Sequence, residues 1–131
     1  MPKHYSLAAW QEARSVVIGL FGLGRESSEV RNSVFYGQAI RAGLSVQLNL
    51  AEGWAFGPSP TLTRHLRIAY GSAVEVSDLI ALMIDLRMIA AAEGEALREH
   101  SDRCLALLVG LLKQHRPVAR TGSRLSVSGK R

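Results

Sequence analysis

Two mainly apolar stretches contain six polar residues of the types with which a protein could do chemistry. Residues 38–53 read QAIRAGLSVQLNLAEG, and a patch of small and polar residues follows at 71–75. Polar residues three or four apart share one face of a helix. The two stretches contribute Arg41, Ser45, Asn49, Glu52, Ser72 and Glu75. Glu52 and Glu75 could form a catalytic or ligand-binding carboxylate pair.

Three interpretations of this polar set are open. The stretch 38–53 is apolar on almost every side, which is typical of a buried helix, and a buried charge needs a partner. The favoured interpretation is therefore a buried hydrogen-bonded network that fixes helix register, with Arg41 paired to Glu52 or Glu75. The alternatives are a cluster at a subunit interface and a functional carboxylate site.

The sequence offers few companion groups for an enzyme. Its four histidines, which include His65, are dispersed and are expected to be exposed or interfacial. No glutamate is followed by His three residues later, and no Gly-rich phosphate loop is present. Cys104, the single cysteine, stands on an apolar helix face and is expected to be a small core residue. We expect no enzymatic activity, no metal, no cofactor and no small-molecule ligand.

Helical periodicity indicates the elements that position the polar residues. Apolar residues recur at spacings of three and four in four segments, about 6–21, 34–55, 60–88 and 93–115. Asn32 or Ser33 can cap the second helix, and Ser59 followed by Pro60 is a start signal for the third. Gly24 and the glycines before it are typical of the end of the first helix, and Gly94 is expected to be the flexible point of the connection before the fourth. The short connections predict an all-α fold: one antiparallel up-down-up-down four-helix bundle over residues 6–116.

The net charge of +5 belongs mostly to the end of the chain. Residues 1–115 hold 11 basic and 11 acidic residues, whereas 116–131 hold five basic residues and no acid. Residues 117–131 are predicted to be a disordered basic tail, and residues 1–5 a flexible lead. The candidate nucleic-acid contacts, which would neutralise phosphates, are Arg116, Arg120, Arg124, Lys130 and Arg131.

Cysteine content and hydropathy predict a cytoplasmic protein without membrane association. A single cysteine permits no internal disulfide. The first residues lack the basic-then-apolar pattern of a signal peptide. No apolar run approaches the roughly 20 residues that cross a bilayer.

Two motifs resemble a known family. Residues 38–53 match the pattern Q-x-x-R-A-x-x-S-x-x-x-N-x-A-E-G, and residues 66–75 match L-x-I-A-x-G-S-x-x-E. Trp10 and Gln11 match a Trp-Gln pair of the first helix. The chain over about 7–115 thus resembles the 23S rRNA intervening-sequence proteins, whose fold is shared by accessory variability proteins of diversity-generating retroelements. Ile40 and His65 depart from the pattern, which usually has Arg and an aromatic there.

The resemblance implies a cytosolic bundle without a defined enzymatic activity that assembles as a ring, typically a homopentamer. Its partners would be further copies of itself and, for a scaffold, RNA or DNA or a nucleic-acid enzyme. The alternative is a purely structural or protein-interaction bundle without a nucleic-acid role. Exposed large apolar groups often mark contact sites, and the candidate interface residues are Trp54, Phe56, Leu79, Leu82 and Leu86. Trp54 and Phe56 could equally cap the core of the monomer.

Overall fold

The computed structural model describes residues 3–116, whose regular secondary structure is entirely helical. A 3-10 turn, Lys3–Ser6, precedes α1 (Ala8–Glu26), the one-turn α2 (Ser28–Arg31), α3 (Val34–Trp54), α4 (Pro60–Asp85) and α5 (Ala91–Gln114). α1 packs on α3, α3 on α4, α4 on α5, and α5 back on α1. The predicted single-domain all-α four-helix bundle is confirmed. The predicted disordered tail, 117–131, lies outside the described residues.

The core follows a set of apolar residues that recur along α4 at alternating steps of four and three. All seven residues of that pattern are buried, and fully buried side chains from the other helices, such as Leu20, Leu50 and Leu108, meet them. The seven are Leu62, Leu66, Ala69, Ala73, Val76, Ile80 and Met83. Burial of each large side chain stabilises the bundle by about 1.5 to 3 kcal/mol, so this seam is the main source of stability in α4.

Two serines define the starts of α3 and α4. The Ser33 hydroxyl accepts a hydrogen bond from the Tyr36 backbone N–H, and the Ser59 hydroxyl accepts one from Leu62. Pro60 occupies the first helical position, as predicted. α4 ends at Asp85 rather than near residue 88, because Arg87 adopts a positive φ of 60° and reverses the chain.

The glycines of α1 and α5 do not end or loosen a helix, which corrects two predictions. α1 was expected to end near residue 21 but continues to Glu26, and Gly24 lies against Tyr36 of α3. A Cβ at position 24 would stand 2.5 Å from the Tyr36 ring. Gly94 is helical and buried, and a Cβ there would stand 2.8 Å from Ile84. These glycines serve close packing, which offsets their roughly 1 kcal/mol helix penalty.

The start of the chain is also more structured than predicted. Within the expected flexible lead, Lys3 and the next three residues form the 3-10 turn. The Tyr5 ring stacks on Trp10 with centroids 4.8 Å apart, and His4 meets the same indole edge-on. Trp10 therefore anchors this segment, and α1 begins at Ala8 instead of residue 6. Along residues 3–116, no helix is long and apolar enough to cross a membrane.

Candidate functional site

An outward-facing surface runs along α3 and α4. On α3 it follows Val34, Gln38, Arg41, Ser45, Leu48 and Glu52, and on α4 Ile68, Ser72, Glu75, Leu79 and Leu82, with Leu86 just beyond. Each series advances by alternating steps of four and three, so its members share one helix face. The hydroxyls of Ser45 and Ser72 share a hydrogen bond of 2.8 Å, so the two series lie side by side. These residues form the outer α3–α4 face.

Asn49 is the centre of a hydrogen-bonded cluster beside this face. Its amide nitrogen donates to the backbone oxygen of Ser45 at 2.8 Å, and its amide oxygen accepts from Nδ1 of His65 at 2.9 Å. His65 is only 7% exposed. Gly53 permits the approach, since a Cβ there would stand 2.6 Å from Cβ of His65. Because buried polar groups need such partners, the cluster fixes the register of α3 against α4.

The charged members of the predicted polar set stand apart from this cluster. Arg41, Glu52 and Glu75 are exposed, and the ion pairs within residues 3–116 involve none of them. The prediction that they form a buried network is therefore wrong for the single chain. The stretch 38–53 divides its apolar residues between two faces: Val46 and Leu50 enter the core, whereas Leu48 is 58% exposed. The charges follow Leu48 on the outer face.

The structure divides the candidate interface residues into two groups. Trp54 packs against the core and meets the ring of His115 edge-on, at a centroid distance of 5.7 Å. Leu79 is partly buried against the core. Phe56, Leu82 and Leu86 are exposed, although the ring of Phe56 lies parallel to His65. Leu82 and Leu86 extend the apolar part of the outer α3–α4 face.

Spacing did not reveal an ion-pair cluster between α1 and α5. Glu12 accepts hydrogen bonds from Nδ1 of His100 at 2.6 Å and from Nε of Arg103 at 3.1 Å. Burial by itself raises the pKa of Glu12, but these hydrogen bonds and the charges of both partners outweigh it, so the pKa lies below its ordinary value. Glu12 precedes His100 by 88 positions and Arg103 by 91, so residue spacing within one helix could not reveal the cluster.

Cys104 lies in the core between the same two helices. Its Sγ lies 3.6 Å from the backbone oxygen of Ala9. Burial, with the nearby charge of Glu12, raises the pKa of the Cys104 thiol to about 12. A thiol that stays protonated is a poor nucleophile and a poor metal ligand, so the residue has the structural role expected from the sequence.

The charges of the bundle are divided between its ends. The hydrogen bond from Thr63 Oγ1 to the His115 backbone oxygen, 2.8 Å long, places the start of α4 beside the end of α5. Residues 3–16, 45–72 and 103–116 occupy this end and form the basic half. Its acidic residues are Glu12 and Glu52, and its basic residues are Lys3, Arg14, Arg64, Arg67, Arg103, Lys113 and Arg116.

The rest of the described chain carries the opposite charge. It holds five basic and nine acidic residues, against seven and two in the basic half. The equal numbers of basic and acidic residues in 1–115 thus conceal a positive end of the bundle. Arg116 is exposed at that end, and its Nε donates to the Lys113 backbone oxygen at 3.4 Å. The other four candidate nucleic-acid contacts, Arg120, Arg124, Lys130 and Arg131, lie outside the described residues.

The fold and these surfaces define a small all-helical bundle whose distinctive residues lie on its outer faces. Among residues 3–116, no group of three His, Cys, Asp or Glu side chains is placed to hold a metal ion. The residues of the two sequence motifs meet along α3 and α4, most of them on the outer face or in the Asn49 cluster.

The chain belongs to the 23S rRNA-intervening sequence protein family, whose model matches residues 5–110. The family resemblance identified from the sequence is thereby confirmed. A similar solved structure is a crystal structure of a protein of unknown function from the S23 ribosomal protein family of Bacteroides thetaiotaomicron VPI-5482. The two chains are 21% identical with a TM-score of 0.72, over 80% of this chain and 98% of the other. No curated protein matches this sequence.

Proposed function

We propose that this protein is a non-enzymatic cytoplasmic scaffold that assembles through its outer α3–α4 face into a ring of identical subunits, with five as the favoured number. The observation that carries the proposal is the composition of that face. Val34 is 67% exposed, Leu48 58% and Leu86 52%, and exposed apolar side chains gathered on one face mark an interaction site, as scattered ones do not.

The charged residues of the outer α3–α4 face support an interface rather than a lipid or small-molecule site. Arg41, Glu52 and Glu75 alternate with the apolar side chains and are free of ion pairs within the described chain. Apolar anchors interleaved with charges of both signs give an interface both affinity and register. When such a face meets a different face of its neighbour, repetition closes a ring, and the family resemblance favours five subunits.

Light scattering of the full chain tests the assembly. We expect a mass of about 71 kDa, five times the 14.3 kDa of the chain. A Leu48→Lys/Leu82→Lys variant should fall to the monomer mass, because it places two charges in the apolar part of the interface. The control is Glu95→Lys/Glu99→Lys, which places two lysines at exposed and already charged positions of α5 and should keep the ring. A wild-type monomer would refute the assembly.

Glu52 gives a second test of the same interface. Since Glu52 is exposed in the single chain, Glu52→Ala should weaken the oligomer while the monomer keeps its stability. Removing one partner of a buried ion pair costs roughly 3 to 5 kcal/mol of stability. A loss of that size is therefore expected only for the assembled state. The measurement is the melting temperature as a function of protein concentration, because coupling to assembly makes it concentration-dependent.

The absence of enzymatic activity is proposed from the side chains of the described residues. Cys104 is buried and stays protonated, and Asn49 and His65 are hydrogen-bonded to each other. The exposed carboxylates Glu52 and Glu75 take part in none of the ion pairs of the described residues.

A nucleic-acid role for the scaffold is favoured by the positive half of the bundle, which continues into a segment with four further basic residues and no acid. The test is binding of single-stranded RNA and DNA across a salt series. A protein-interaction role, the alternative, predicts no binding at low salt and protein partners that remain bound at high salt. A variant with Arg120, Arg124, Lys130 and Arg131 all changed to Gln separates the contribution of the tail from that of the bundle.

A further inference from the structure

A groove between α4 and α5 concentrates the positive charge of the basic half. It has a volume of about 460 Å³ and is lined by Thr63, Arg67, Tyr70, Val109, Leu112, Lys113 and Arg116. Three of these side chains are cationic and none is acidic. Arg67, Lys113 and Arg116 are exposed, and the carboxylate ion pairs of the described residues involve none of them.

The cations of the groove come from two segments that the fold joins. Arg67 is on α4, whereas Lys113 is on α5 and Arg116 follows it. The hydrogen bond from Thr63 to the His115 backbone oxygen joins these two segments at the groove. Leu112 is partly buried against the core residues that include Leu66 and Leu108. The floor of the groove therefore belongs to the packed body of the bundle. The two segments that carry the cations are thus joined before any ligand arrives, so binding need not bring them together.

The groove also offers apolar and aromatic surface between its cations. Tyr70 is 36% exposed and Val109 37% exposed. An exposed aromatic side chain bordered by Arg and Lys is the combination that binds single-stranded nucleic acid: the cations contact phosphates and the ring stacks on a base. Duplex DNA or RNA keeps its bases stacked on each other and would use only the cations.

We propose that this α4–α5 groove is the nucleic-acid contact of the folded bundle, with Arg67, Lys113 and Arg116 on successive phosphates of a single strand and Tyr70 stacked on a base. The inference rests on the nucleic-acid role proposed above and assigns that role a site. The site is distinct from the outer α3–α4 face, because Tyr70 and Arg67 face α5 whereas Ser72 bonds to α3. The groove and the outer α3–α4 face therefore share no residue.

The main test measures the affinity of the full chain for a fluorescent single-stranded RNA of about 20 nucleotides between roughly 50 and 200 mM salt. In the groove variant, Arg67, Lys113 and Arg116 are all changed to Gln. Its affinity at low salt should fall at least about tenfold, and the slope of log K against log salt should become shallower by about 2, the value for three lost phosphate contacts on a single strand.

The matched control removes three positive charges elsewhere. Arg25, Arg87 and Arg98 lie outside the basic half and outside the groove, and changing all three to Gln gives the same net charge as the groove variant. The control should keep the wild-type slope and most of the affinity. Circular dichroism and light scattering verify that both variants remain folded and equally assembled.

Tyr70 tests the single-strand part of the assignment. Tyr70→Ala should weaken the affinity for single-stranded RNA by about tenfold, within the range for loss of one stacked base. The affinity for duplex RNA should stay unchanged. Tyr70→Phe keeps the ring and should bind as the wild type does. Equal binding by Tyr70→Ala and wild type would overturn the stacking role.

The outcomes separate the groove from the wider nucleic-acid role. If the wild type binds and the groove variant matches the control in affinity and slope, the groove assignment is wrong and the wider role survives. If the wild type binds neither RNA nor DNA at low salt, both are wrong. If only the variant with the neutralised tail loses binding, the bundle does not contact nucleic acid and the groove assignment is again wrong.

Discussion

At the scale of residues, spacing predicted which side chains share a face but not which partners they find on other helices. Ser45 and Asn49 lie on one face, as their step of four requires, whereas the bond from Ser45 to Ser72 joins two helices. His65 was expected to be exposed or interfacial, yet it is buried against Asn49. That contact depends on the axial offset of α3 against α4, which periodicity within one helix does not determine.

Asn49→Ala should destabilise the folded chain by about 1 to 3 kcal/mol, because it leaves the His65 ring nitrogen buried without its partner. The measurement is the free energy of unfolding in urea at constant protein concentration. Gln47→Ala, at a partly exposed position of the same helix outside the outer α3–α4 face, is the control and should change stability by no more than about 0.5 kcal/mol. Equal effects of the two substitutions would show that the Asn49–His65 contact does not stabilise the fold.

At the scale of elements, helix starts were predicted from capping chemistry, and glycine was misleading. Ser33 and Ser59 begin α3 and α4 where the sequence indicated. Gly24 and Gly94 were interpreted as a stop and a hinge, but both lie inside helices where another side chain approaches the backbone. The same residue type serves turns and close packing, and only the tertiary contact distinguishes the two.

The Glu12 cluster should make the attachment of α1 to α5 depend on pH. The pKa of Glu12 is lower in the folded chain than its ordinary value of 4.5, so this carboxylate binds a proton more weakly in the folded state than in the unfolded state. The stabilisation is therefore present above pH 4.5 and is lost as pH falls through the folded pKa.

Glu12→Gln should cost about 1 kcal/mol at neutral pH, the worth of a partly exposed charge-assisted pair. The difference from wild type should shrink as pH falls below about 4.5, the ordinary value for this carboxyl. Urea unfolding at several pH values measures it. Glu99→Gln, an exposed position on α5, should change stability little throughout. A difference between Glu12→Gln and wild type that stays constant with pH would exclude the charge as its cause.

At the scale of the whole molecule, the sequence predicted the fold and family but not the distribution of its surface. Heptads and turn signals are local, and they were sufficient for a four-helix bundle. Antiparallel packing then brings 3–16, 45–72 and 103–116 to one end, where their positive charge accumulates. A sum over the chain averages that end with the acidic one, so polarity emerges only from the three-dimensional arrangement.

Cys104 can report whether the whole bundle opens as one unit. Its thiol is buried between α1 and α5 with a pKa of about 12, so iodoacetamide at pH 8 should react only after these helices separate. We expect labelling that is slow in buffer and accelerates with urea as steeply as global unfolding does. Arg14→Cys in a Cys104→Ser background places an exposed thiol on α1 and should react at once. Rapid labelling of Cys104 that does not depend on urea would instead show that α1 detaches locally while the core seam of α4 remains intact.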